Sequence, residues 1–99
     1  MNRTRFSPAA QDDLSAIWDD TVHHWGVAQA ERYILVIREA CEALADGHRK
    51  GSDADNIRSG YRKLPVGSHV LFFRVTDGGE IDVVRILHQR MDVAGHFAD

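Results

Sequence analysis

Residues 60–92, GYRKLPVGSHVLFFRVTDGGEIDVVRILHQRMD, decide the fold. Three runs rich in β-branched and aromatic residues, Tyr61–Pro65, Ser68–Thr76 and Ile81–Gln89, stand in close succession. Only Val66-Gly67 and Asp77-Gly78-Gly79-Glu80 separate them. Runs of that composition read as strands, and glycine in a short gap supplies the positive φ of a tight hairpin. The stretch therefore predicts an antiparallel meander with Ser68–Thr76 in the middle. With Gly78-Gly79 as a two-residue loop, Phe72 falls opposite Arg85, Phe73 opposite Val84 and Arg74 opposite Val83. Side chains alternate across a strand. Leu71, Phe73, Val75, Val84 and Ile86 then share the expected core face, and Val70, Phe72, Arg74, Val83, Arg85 and Leu87 share the other. Two arginines among apolar groups are unusual for a face that merely meets water.

Upstream, Arg3–Phe6 reads as a short strand. Ser7-Pro8 follows as N-cap and first helical residue, because the hydroxyl can accept an orphan amide and proline lacks only a donor that has no partner there. Leu14, Ile17, Trp18, Val22 and Trp25 recur at helical spacing and predict an amphipathic helix over 8–25. Asp12 and Asp13 lie in or near its first turn, where the dipole favours anions. Gly26 breaks it. A second stripe, Ala30, Tyr33, Ile34, Ile37, Cys41 and Leu44, predicts a helix over 27–46 with Gly47 as its stop. So short a break folds the two helices back as an antiparallel hairpin. Residues 47–60 have no apolar period and many turn formers, so they read as a long surface loop. The expected fold is α+β, ordered β-α-α-β-β-β, with the hairpin on a small, largely antiparallel sheet.

Composition bounds the function. Ninety-nine residues, 43% hydrophobic and 27% charged, predict one soluble domain over 1–99. No apolar run approaches the ~20 residues that span a bilayer, and no signal sequence opens the chain. The lone Cys41 cannot form an internal disulfide, and a buried thiol in a reducing cytoplasm is expected. Net charge is −3, unevenly spread: residues 1–48 hold four Arg against eight Asp/Glu, residues 49–99 eight Lys/Arg against seven. Asn56–Thr76 carries Arg58, Arg62, Lys63 and Arg74 with no acid, a field that suits an anionic partner and equally an ordinary solvated surface.

Chemical motifs are sparse. None of the six histidines has another at i+3 or i+4, so no metal site is expected. No phosphate loop or nucleophile elbow occurs. His88, with Arg85, Arg90 and Asp92 around it, could serve acid–base work on RNA. A histidine bonded at the sheet edge with arginines paired to local acids is the simpler alternative.

Taken together, these residues resemble the RelE/ParE superfamily of bacterial toxins, and its ParE branch most closely. The resemblance rests on Gly60 and Arg62, on Phe73-Arg74-Val75, and on Arg85-Ile86-Leu87-His88 with Asp92. Phe6-Ser7-Pro8-Ala9-Ala10 with Asp12, Leu14 and Ile17-Trp18 extends it to the opening. It implies the same fold and the toxin component of a type II toxin–antitoxin system. RelE-like members cut mRNA on the ribosome; ParE-like members inhibit DNA gyrase by binding and are silenced by a ParD-like antitoxin. Where the nucleases tend to carry a middle-strand arginine this chain has Val70, and no glutamate lies between Glu42 and Glu80. The expectation is a cytoplasmic, non-catalytic toxin without cofactor, metal or membrane contact, reading no DNA sequence and held in a hetero-oligomer with its antitoxin. A RelE-type endoribonuclease is the alternative. Target-binding candidates are Arg62, Arg85, His88, Arg90, Met91 and Asp92. The face of Val70, Phe72, Arg74, Val83, Arg85 and Leu87 is the antitoxin-binding candidate. His69 departs from the family, which more usually has an aromatic such as Tyr there.

Overall fold

The computed structural model describes residues 4–91 and 93–97. Strand β1 (Thr4–Phe6) leads into helices α1 (Pro8–Trp25) and α2 (Val27–Asp46), followed by β2 (Ser52–Asp53), β3 (Arg62–Val66), β4 (His69–Val75), β5 (Ile81–His88) and the short helix α3 (Val93–Phe97). The helix ends follow local chemistry. Ser7 caps α1, its Oγ accepting the Ala10 amide at 3.0 Å, with proline first in the helix. Gly47, at φ 82°, ends α2 in the left-handed conformation that glycine adopts without penalty.

The sheet runs in the order β1-β5-β4-β3-β2. The pairs from β5 to β2 are antiparallel, while β1 lies parallel to β5. The strand within the 47–60 segment corrects the reading of that segment as loop alone. Its two residues carry no apolar period, and Ala54 beyond it is fully buried.

The register corrects the expected faces. Thr76 and Glu80 close the β4–β5 connection, Thr76 N–H donating to the Glu80 carbonyl at 2.9 Å, so three residues form the turn, with Gly79 at φ 83°. This shifts Phe73 opposite Val83 and Arg74 opposite Asp82. A bulge between Phe72 and Phe73 then restores Phe72 opposite Arg85 and Val70 opposite Leu87. Val83 and Val84 therefore exchange the faces expected of them. Val83 is fully buried under the helices, whereas Val84 packs on the other side. Val75 keeps its face but is 52% exposed, since it stands where the helices no longer cover the sheet.

The helix-side core joins Ile17, Ile37 and Leu44 to Leu71, Phe73, Ile81 and Ile86, all buried. Trp25, expected on the apolar stripe of α1, is 75% exposed at the tip of the hairpin. The opposite face is no open strip. Phe72 and Leu87 lie in a second buried cluster with Ala54 and Tyr61, covered by Ile57, Val93 and Phe97. The Phe97 ring meets those of Phe72 and Tyr61 edge-on, at 5.2 and 5.6 Å between centroids. Apolar burial on both faces explains why Ile81–Leu87 reads as a nearly continuous apolar run.

Candidate functional site

His88 ends β5 and stands opposite His69, which begins β4. Next to them, Gln89 N–H donates to the Ser68 carbonyl at 2.9 Å. In an antiparallel ladder the neighbouring pair is then the non-hydrogen-bonded kind, whose side chains come closest. The two imidazoles meet edge-on, 5.3 Å between centroids. Tyr33 of α2 fixes His69 from behind. Its Oη lies 2.7 Å from His69 Nδ1, accepts the Ser68 N–H at 3.0 Å and donates to the Val66 carbonyl at 3.3 Å. All three bonds form together only when His69 carries its proton on Nδ1. Gly67, at φ 58°, makes the approach possible, because a Cβ there would strike the Tyr33 ring. His88 differs: its Nδ1 accepts the Arg90 N–H at 3.1 Å, which places the proton of the neutral ring on Nε2. The pair therefore offers one bare ring nitrogen and one N–H.

Burial pushes the His69 imidazole below its ordinary value, and His88 adds to that; Asp20 and Asp13 oppose it. Burial also raises the Tyr33 phenol, partly offset by the Ser68 amide. Two clefts flank the pair. One, of about 280 Å³, runs between Trp25, Tyr33 and the histidines; the other, of about 460 Å³, lies over Ile17 and Met91. Apart from the histidines, the charged residues lining them are Asp20 in the first and Asp13 with Asp20 in the second.

The six target-binding candidates do not converge. His88 and the 46%-exposed Met91 share the larger cleft. Arg90 joins through its backbone, and its side chain is exposed. Arg85 is engaged elsewhere, donating from Nε and Nη2 to the two carboxylate oxygens of Asp13 at 2.8 and 2.9 Å. Arg62, opposite Phe73, lies four residues along β4 from His69, about 13 Å away. Its guanidinium holds the Lys50 and Gly51 carbonyls. Asp92 falls outside the described residues.

The antitoxin-binding candidates are likewise divided. Phe72 and Leu87 are buried in the second cluster, Val83 is buried under the helices, and Val70 is half-buried. Arg74 is exposed, its Nε 3.7 Å from Asp82. Sequence reasoning missed Tyr33, taken as one more stripe residue, and Asp13, taken as a dipole partner.

Paired imidazoles can exchange protons, but phosphoryl chemistry also needs a cation where negative charge develops. The lining charges here are carboxylates, and Val70 holds the place of the middle-strand arginine. Among the described residues no group of three or more His, Cys, Asp or Glu is placed to hold a metal, and no helix is long and apolar enough to cross a membrane.

Residues 4–93 match the family model of the ParE toxin of the type II toxin–antitoxin system parDE. The chain belongs to the ParE toxin family. It is 55% identical over 92 residues to Toxin ParE1 of Mycobacterium tuberculosis, covering 93% of this chain and 94% of that one. It is 38% identical over 97 residues to Toxin ParE1 of Caulobacter vibrioides, covering 98% and 99%. Among solved structures, a chain of the chromosomal ParDE TA system from P. aeruginosa superposes with a TM-score of 0.73 at 27% identity, covering 89% of this chain and 96% of that one. The two-helix hairpin on a mixed sheet is thus the ParE fold, and the expected family and architecture hold.

Proposed function

We propose that this ParE-family chain arrests growth by binding DNA gyrase in the cytoplasm and is held silent by a ParD-like antitoxin. The observation that carries the reading is the pairing of Arg85 with Asp13. It takes the arginine nearest His88 in the last strand out of any phosphate-binding role. What remains at the strand end is a surface of imidazoles, Trp25 and Met91, with Asp20 in both clefts and the exposed Arg90 beside His88, a mixture suited to protein contact. The closeness of His69 and His88 is the one feature that favours the nuclease alternative, since adjacent imidazoles can act as base and acid.

One experiment separates the readings. Induced expression is followed in parallel by a DNA-damage reporter and by primer extension on cellular transcripts. Gyrase inhibition predicts an early reporter response with intact transcripts. Rapid ribosome-dependent cleavage with a silent reporter overturns it.

A further inference from the structure

The smaller cleft beside the histidine pair, of about 280 Å³, is built from three parts of the chain. Asp20 and Trp25 come from the last two turns of α1, Gln29 and Tyr33 from the first two turns of α2, and His69 and His88 from the sheet. Trp25 is 75% exposed, so its indole ring stands at the rim rather than in the core. Asp20, also exposed, lines the same cleft. Among the described residues no lysine or arginine lines it.

Two acceptors are on offer here. His24 lies next to Asp20, but its Nδ1 is 2.9 Å from the Asp20 backbone oxygen and 3.4 Å from the carboxylate, so the carboxylate keeps most of its capacity. His69 brings the second acceptor: with its proton on Nδ1 toward Tyr33, Nε2 is bare. Burial, helped by His88, holds that imidazole below its ordinary value against the pull of Asp20 and Asp13, so it is neutral at neutral pH. Tyr33 is itself held by the Ser68 N–H and Val66 carbonyl, which fixes the acceptor in place. The nearest arginines are directed elsewhere: Arg32 donates to Gln29 Oε1 at 2.8 Å, and Arg90 reaches His88 only through its backbone.

A carboxylate, a bare imidazole nitrogen and an exposed indole together match a guanidinium, which is planar, carries only donors and stacks on aromatic rings. We infer that this cleft receives an arginine side chain of the target, stacked on Trp25 and donating to Asp20 and His69 Nε2. The inference rests on the gyrase reading above and supplies the chemistry of the contact. Charge complementarity selects the occupant. A phosphate or an acidic segment would meet Asp20 and find no lysine or arginine in the cleft. An apolar side chain would cover Trp25 but leave Asp20 and His69 desolvated without a donor. A lysine ammonium would reach Asp20 but lacks the plane that stacks on the indole.

The test uses the full chain and the gyrase holoenzyme, with the dissociation constant and inhibition of supercoiling measured side by side. Asp20→Asn and Trp25→Leu each weaken binding by about tenfold. Trp25→Phe, which keeps an aromatic face, retains more affinity than Trp25→Leu. Glu39→Gln makes the same change of charge on the exposed surface of α2, serves as control and changes binding little. Thermal melts confirm that each variant folds. In parallel, N-acetyl-L-arginine amide titrated into the chain shifts the Trp25 indole resonance, and its uncharged citrulline counterpart does not. Native affinity in both cleft variants overturns the inference and leaves the gyrase reading intact. Failure of the unaltered chain to bind gyrase overturns that reading. The arginine titration then judges the cleft by itself, and an unmoved indole resonance overturns the inference as well.

Discussion

Asp13 grips Arg85 with both carboxylate oxygens and, with the same Oδ2 that meets Arg85 Nε, accepts the backbone N–H of Ile86 at 2.8 Å. One side chain from the second turn of α1 thus satisfies a guanidinium and an edge amide of β5, 72 and 73 residues away. Ser7 does the complementary job, its hydroxyl donating to the Val84 carbonyl at 2.7 Å. Together they occupy the stretch of β5 that lies beyond the reach of β1. Arg85 is raised above its ordinary value, first by the hydrogen bonds it donates to Asp13, and it stays charged at any working pH. Replacing Asp13 by Ala strands a half-buried cation and an amide, a loss of about 3 kcal/mol. Asp13→Asn, which keeps one acceptor, should lose less. Urea midpoints for the two variants check the order.

Phe73 is 1% exposed at the centre of the helix-side core, between Leu71 and Ile81 on the sheet and Leu44 above. Truncation to Ala should cost about 3–5 kcal/mol through lost burial and the cavity left behind. For a domain of this size that is a large share of the total. Denaturant unfolding measures it, and a loss below 1 kcal/mol would contradict the packing.

His69 gives stability a particular pH dependence. Its folded-state value lies below 6.5, so the unfolded chain binds the proton more readily. Its contribution is therefore full above about 6.5 and lost as the pH falls below that. His69→Phe should flatten the stability difference between about pH 8 and about pH 5.5 relative to the native chain. Equal slopes in the two proteins would remove His69 as a source of acid sensitivity.

Phe97 closes the second cluster. Its edge-on contacts with Phe72 and Tyr61 are worth about 0.5–1.5 kcal/mol each beyond area burial. Phe97→Ala should destabilise the chain by about 2 kcal/mol and raise binding of a hydrophobic dye as Phe72 and Leu87 become accessible. Unchanged dye fluorescence would mean that α3 covers little.

What the sequence made legible was what local chemistry decides. Ser7-Pro8 and Gly47 mark helix ends through capping bonds made within a few residues, and both ends fall where expected. The stripe from Ala30 to Leu44 is buried or half-buried because a helix fixes which residues share a face. The faces of β4 and β5 were harder, because one residue reverses them. The three-residue turn and the bulge shift the register in opposite senses, so Phe72 and Arg85 stand as expected while Val83 and Val84 do not. Neither device has a strong local signature in Thr76–Glu80 or Phe72-Phe73. The candidate site was less legible still. Arg85 and Asp13 are joined only by the packing of α1 on β5, and nothing near either residue announces the other. His69 stood out only as a departure from the family, and its role required the position of Tyr33, 36 residues earlier.

The parallel pairing of β1 with β5 bears on when a newly made chain can become a toxin. β1 and the start of α1 have no seat until Ile81–His88 has been made. The apolar stripes of both helices likewise wait for strands that are translated last. The helical hairpin can form early, since its contacts are local, but closing the ends of the fold requires loops of more than seventy residues. A ribosome that stalls before β5 therefore releases a helical hairpin with an uncovered apolar side, which is prey for proteases. The fold of the toxin is thus closed only after its last strand has been made.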